Sequence, residues 1–137
     1  MVLRYSKGAR SERELLLRLS GINYSVMRAA GSGVNSLSPD IIAIKEGRGF
    51  AFECKAWATN LIIEPERLDS LQTWEKNTGM QTFIAWKINN KGWFFIKLNE
   101  LLRNGKNYTM TKSKAFEINR TFEEIVGITA QKNQAEG

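Results

Sequence analysis

Residues 40–56 hold two β-rich runs, Asp40 to Ile44 and Gly49 to Ala56, separated only by Lys45-Glu46-Gly47-Arg48. A connection of that length points to an antiparallel hairpin. If Ile44 faces Gly49, counting outward sets Asp40 opposite Glu53, and opposed residues share a face with Cβ atoms about 4.5–5.5 Å apart. Alternation then puts Lys55 on the face of Glu53, while Phe50, Phe52 and Cys54 turn to the apolar side.

The rest of the chain supplies elements to pack around this hairpin. Ala9 to Ser20 reads as a helix stopped by Gly21, with Leu15, Leu16 and Leu19 on one stripe that continues backward to Glu12. A carboxylate on an apolar stripe is either part of a site or an acid favoured by the helix dipole. Asn23 to Arg28 reads as a strand, and Ala30 to Ser38 as a small, uncharged, flexible loop with Gly31 and Gly33. That loop is either a connector or an arm whose backbone N–H groups meet phosphate oxygens.

Glu66 to Thr78 is expected to be a second helix, opened near Pro65 and closed by Gly79, with Leu68, Leu71 and Trp74 on its apolar stripe. Gln81 to Ile88 and Trp93 to Leu98, joined by Asn89-Asn90-Lys91-Gly92, form a second hairpin. Asn99 to Arg103 is expected as a short helix and Ala115 to Ile118 as a short edge strand. Thr121 to Ile128 reads as a helix with Thr121 and Glu124 in capping-box spacing, and the polar tail from Thr129 to Gly137 as frayed. The order predicts one mixed α/β domain over residues 1–137, with a central mixed sheet flanked by helices.

Composition narrows the chemistry. The chain has no histidine and one cysteine, Cys54, which removes histidine acid–base catalysis, Ser-His-Asp and Cys-His systems, and zinc sites built on His or on Cys alone. What remains is carboxylate, lysine and hydroxyl chemistry with a hard metal bound through oxygen. With 42% apolar and 25% charged residues the chain reads as globular, and with no long apolar run or signal-like start a cytoplasmic protein without a membrane partner is expected.

Charge is distributed unevenly. The net is +6, divided as +4 over residues 1–39, −3 over 40–75, +7 over 76–114 and −2 over 115–137. An acidic segment lies between two basic ones, and it carries Asp40 and Glu53-Cys54-Lys55. Two close carboxylates repel each other unless a cation lies between them, and here that cation is either a divalent metal or Lys55 itself in a structural salt bridge. In the first case the carboxylates hold Mg²⁺ against a phosphodiester while Lys55 orients a water or stabilises developing charge. Basic flanks beside such a centre suit a nucleic-acid substrate.

Four stretches in order, Lys7-Gly8-Ala9-Arg10-Ser11-Glu12-Arg13-Glu14-Leu15, Val26-Met27-Arg28-Ala29-Ala30-Gly31-Ser32, Pro39-Asp40-Ile41-Ile42-Ala43 and Phe52-Glu53-Cys54-Lys55, closely resemble the archaeal-type Holliday junction resolvases. These belong to the PD-(D/E)XK nuclease superfamily. The resemblance runs through residues 5–56 and more loosely to about residue 98. It implies a restriction-endonuclease-like fold and a homodimer that resolves four-way junction DNA with paired symmetric nicks.

By the same resemblance Glu12, Asp40 and Glu53 would hold Mg²⁺, with Mn²⁺ able to substitute, and the Cys54 backbone carbonyl would be a further ligand. Lys55 would be the catalytic lysine, and Ser32 a loop serine that some members need for activity. Arg13 and Arg28 would contact phosphate or brace the site. Lys7, Arg10, Gly31, Ser32 and Gly33 complete the expected DNA-binding set. For the dimer surface, the second helix and following strand offer Leu71, Trp74 and Trp86, whose other reading is intramolecular core. Two further functions compete: a repair or restriction-like nuclease of the same fold acting on other DNA, and a noncatalytic DNA binder that keeps the acids only as a relic.

Overall fold

The computed structural model describes residues 2–29, 38–57 and 59–127, with side chains from residue 8 onward. The expected flexible loop over residues 30–38 and the polar tail over 129–137 fall outside the described residues except for Ser38. No helix among the described residues is long and apolar enough to cross a membrane.

The hairpin of residues 40–56 is present, and its turn is tighter than the sequence suggested. Strands β2 (Ile41–Lys45) and β3 (Arg48–Lys55) pair antiparallel with Lys45 opposite Arg48, Ile44 opposite Gly49 and Ile41 opposite Phe52. Only Glu46 and Gly47 form the loop, both with positive φ, 52° and 78°. Two such residues match the right-handed twist of the flanking strands, and glycine carries the second without a Cβ penalty.

Around this hairpin a five-stranded sheet forms in the order β1-β2-β3-β5-β6, where β1 is Ser25–Arg28, β5 is Gln81–Ile88 and β6 is Gly92–Lys97. Every pairing is antiparallel except β3 with β5, which is parallel with Glu53 opposite Ile84 and Lys55 opposite Trp86. A parallel pair needs a crossover, and α2 (Pro65–Thr78) supplies it. Pro65 sits in its first turn, and Gly79 closes it in the left-handed region at φ 73°.

Each face of the sheet buries a separate cluster. On one face, Leu15 and Leu19 of α1 (Val2–Gly21) pack on Ile41, Ala43, Phe50, Phe52, Phe83 and Phe95. On the other, Leu68 and Leu71 of α2 pack on Ile84, Trp86, Phe94 and Ile96. The expected mixed sheet between helices is therefore the architecture found.

Four details differ from expectation. Helix α1 begins at Val2 rather than at Ala9. Residues 98–104 are not a helix of five residues: a 3₁₀ turn at Leu98–Glu100 leads into strand β7 (Leu102–Asn104), whose backbone is claimed by β8 (Asn107–Met110). With β4 (Leu61–Ile63) these form a second sheet in the order β4-β8-β7, which strands of only three or four residues left invisible to periodicity. Finally, Ala115 to Ile118 belongs to helix α3 (Lys112–Ile118), not to an edge strand. The Thr111 side chain accepts from the Lys114 backbone N–H, and Asn119 ends the helix at φ 47°. Residues 122–127 are helical as expected, and the Thr121 hydroxyl accepts from the Glu124 N–H.

Candidate active site

Asp40 lies one residue before β2, so the register places it at the position facing Glu53. Its Oδ2 accepts the backbone N–H of Cys54 at 2.9 Å, which pins the acid to the end of β3. Burial is the main cause that raises the Asp40 carboxyl from its ordinary 3.8 to about 6. The Glu53 charge adds to the rise and Glu12 adds less, while the Cys54 N–H and Lys55 oppose it. Negative charge is thus concentrated at this end of the sheet.

Glu53 alternates with Phe52 and Cys54 and so faces the α2 side, where only 4% of it is exposed. A carboxylate buried to that degree needs a partner. Arg67 of α2 provides it as a two-bond fork, Nε to Oε2 at 2.7 Å and Nη2 to Oε1 at 2.6 Å. The same guanidinium donates to the Ser38 carbonyl at 2.9 Å. Bonding to Glu53 holds Arg67 protonated even more firmly than a free arginine.

Glu12 comes from α1, on the opposite face, and its carboxylate pairs with Arg28 at the end of β1. Lys55 ends β3 with its Nζ 5.7 Å from the centre of the Trp57 ring. The Cys54 thiol is pushed well above its ordinary value, chiefly by burial and then by Asp40, Glu12 and Glu53. A thiol shifted in that direction keeps its proton.

The structure therefore brings Asp40 and Glu53 together and adds Lys55 and Glu12 within electrostatic reach of Asp40. Arg10 and Arg13 are exposed on α1. Ser32, Gly31 and Gly33 lie outside the described residues, as does the side chain of Lys7. Among the described residues no three acidic or thiol side chains stand close enough to hold a metal ion as placed. The donor types still suit a hard divalent cation, being carboxylate oxygens, with the Glu53 and Glu12 charges adding to the burial that raises Asp40.

Arg67 was not singled out from the sequence. One signal pointed to it: a cation in the first turn of a helix opposes the helix dipole, so its presence there asks for a nearby anion. Leu71 and Trp86, offered as dimer surface, are fully buried in the core on the α2 face, so they are unavailable to a partner.

The sequence profile of the archaeal Holliday junction resolvases (Hjc) matches residues 3–134. The chain belongs to that family. Among its relatives, the crossover junction endodeoxyribonuclease Hjc of Methanocaldococcus jannaschii is 35% identical over 127 residues, 90% of either chain. The protein of the same name from Archaeoglobus fulgidus is 33% identical over 110 residues, 79% of this chain and 81% of that one.

The solved structure of the Archaeoglobus fulgidus Hjc, a Holliday junction resolvase, superposes with a TM-score of 0.77 at 27% identity, covering 88% of this chain and 96% of the other. A bacterial homing endonuclease superposes at 0.54 with 14% identity, covering 95% and 93%. That second likeness concerns fold alone, and the two together bear out the restriction-endonuclease-like architecture expected from the sequence. The enzyme class expected there, a crossover-junction endonuclease, is the one this resolvase family is named for.

Proposed function

We propose that this chain is a structure-selective endodeoxyribonuclease that resolves four-way DNA junctions by divalent-metal-dependent phosphodiester hydrolysis. The observation that carries the reading is Asp40 pinned to the Cys54 N–H beside buried Glu53 at one sheet end, in a chain whose family is the junction resolvases. One nuclease domain over residues 1–137 makes one site, and one site cuts one strand. Paired symmetric nicks follow from a homodimer.

Asp40 and Glu53 would hold the metal, Mg²⁺ with Mn²⁺ able to substitute, with Glu12 and the Cys54 backbone carbonyl as further ligands. Bound there, the cation would supply charge neutralisation and Lewis-acid polarisation of the scissile phosphate. Asp40 and Glu53 keep their positions through the Cys54 N–H and Arg67. Lys55, next along β3, is the ammonium placed to orient the attacking water and to stabilise charge that develops on phosphate oxygens. Arg10, Arg13 and Arg28 are exposed cations, and in this reading they contact backbone phosphates together with Lys7, Gly31, Ser32 and Gly33. Phosphate contacts read shape and strand position rather than base sequence.

The test is cleavage of a synthetic four-way junction and of its linear arms, with and without Mg²⁺, beside Glu53→Gln. Metal-dependent cutting of the junction alone supports the reading. Equal rates on linear arms would remove junction selectivity, and an uncut junction would remove the enzyme.

A further inference from the structure

Glu53 is unusual among the acids of this chain: it is the one charged residue that counts as buried among the described residues. Both of its oxygens are taken by a single guanidinium, at 2.6 and 2.7 Å. Arg67 reaches it from the first turn of α2, where Glu66 suits the helix dipole and a cation does not. The placement costs helix stability locally, so its gain has to come from elsewhere.

A further bond of Arg67 goes to the Ser38 carbonyl, two residues before Asp40. One planar group therefore ties together the carboxylate of β3, the backbone that leads into Asp40, and the crossover helix. Its fork fixes the carboxylate plane of Glu53, which a lysine point charge would not do. Each carboxylate oxygen keeps a second lone pair for another partner. The Arg28–Glu12 pair differs, because that guanidinium is more than half exposed and can reach solvent or a ligand.

Resting on the junction-nuclease reading above, we propose that Arg67 is a positioning residue of the active site, which sets the orientation of Glu53 and its spacing from Asp40 so that both can serve one divalent cation. It touches neither substrate nor the reacting atoms. Partners of metal-binding carboxylates act in this way, and their loss costs metal affinity as well as rate.

The test uses the full chain with Arg67→Gln and Arg67→Lys. Mn²⁺ is titrated calorimetrically without DNA, and kcat and KM are measured on a four-way junction, with thermal melts confirming the fold. The expected result is Mn²⁺ binding weakened about 10–100-fold in Arg67→Gln. Its kcat should fall by a similar factor while junction affinity in EDTA stays near that of the unsubstituted chain. Arg67→Lys should recover only part of both, because the charge returns without the fork. If Arg67→Gln does not fold, Arg67→Lys alone decides.

Mn²⁺ binding by Arg67→Gln as tight as in the unsubstituted protein, or tighter, would overturn the proposal and make Arg67 a mere competitor of the cation. Full activity of Arg67→Lys would do the same. An unsubstituted chain that never cuts junctions would instead defeat the function proposed above, a result distinguishable from either.

Discussion

The backbone N–H of Cys54 donates to Asp40 Oδ2 at 2.9 Å, so the acid that precedes one strand is held by the backbone of the next. The bond favours the ionised carboxyl, yet burial and the Glu53 charge outweigh it and leave Asp40 raised to about 6. Asp40 is thus kept where its charge is costly, a pattern typical of sites that trade stability for chemistry.

Asp40→Asn should therefore stabilise the metal-free protein. Above about pH 6 Asp40 is ionised in both folded and unfolded chains and destabilises the fold. As pH falls from about 6 through 3.8, the folded chain takes up its proton first and the penalty fades. The rise corresponds to roughly 3 kcal/mol at most. Thermal melts of both proteins between about pH 4 and pH 8 should show a higher Tm for Asp40→Asn at the upper end and convergence at the lower. A gain that grows toward low pH would contradict the assignment.

Glu53→Gln should lower junction cleavage by about a thousandfold or more, the rate equivalent of roughly 4 kcal/mol of lost charge stabilisation. Affinity for the uncut junction should be retained or improved, since one anion facing phosphate has gone. Gel-shift and cleavage assays on the same preparation separate the two effects. Parallel loss of binding would place Glu53 in DNA recognition or folding instead.

Lys55→Ala should slow cutting by about 10²–10³-fold. Mn²⁺ affinity, read by calorimetry, should stay within about twofold because the lysine donates no ligand. Metal binding lost together with rate would assign Lys55 a structural part in holding the carboxylates.

Junction affinity should fall steeply as salt rises, with a linear dependence of log affinity on log salt whose slope counts the neutralised phosphates. Arg13→Gln should make that slope shallower by about one. Affinity that ignores salt would rule out phosphate contacts as its main source.

Leu71→Ala should destabilise the fold by about 2–5 kcal/mol, as removal of a fully buried leucine does. Its oligomeric state by light scattering should match that of the unsubstituted chain, because Leu71 packs within one molecule beside Trp86. Dissociation without loss of stability would return this helix to the subunit interface.

How much could be read in advance followed from how local each determinant was. The pairing of Ile44 with Gly49, the premise from which the hairpin register is counted, depends on loop length and strand alternation and is the pairing found. Helix α2 carried both punctuation marks, Pro65 and Gly79, and began within a residue of expectation. The strands Leu61–Ile63 and Leu102–Asn104 are too short for any period to show, and they form only because β8 pairs with both. In Lys112–Ile118 the β-like Ala115-Phe116-Glu117-Ile118 pattern lost to a Thr111 cap and to Ala115 burying itself against the α2-side core.

The chain by itself excluded histidine chemistry and set Asp40 across from Glu53, because composition and a short connection between two strands act at short range. Which cation answers each acid was decided only in three dimensions. Arg67 lies fourteen residues from Glu53, and Arg28 sixteen from Glu12. Those partnerships exist only because α2 and α1 dock on opposite faces of one sheet. A buried carboxylate requires a counter-ion wherever it lies, but packing chooses which one arrives.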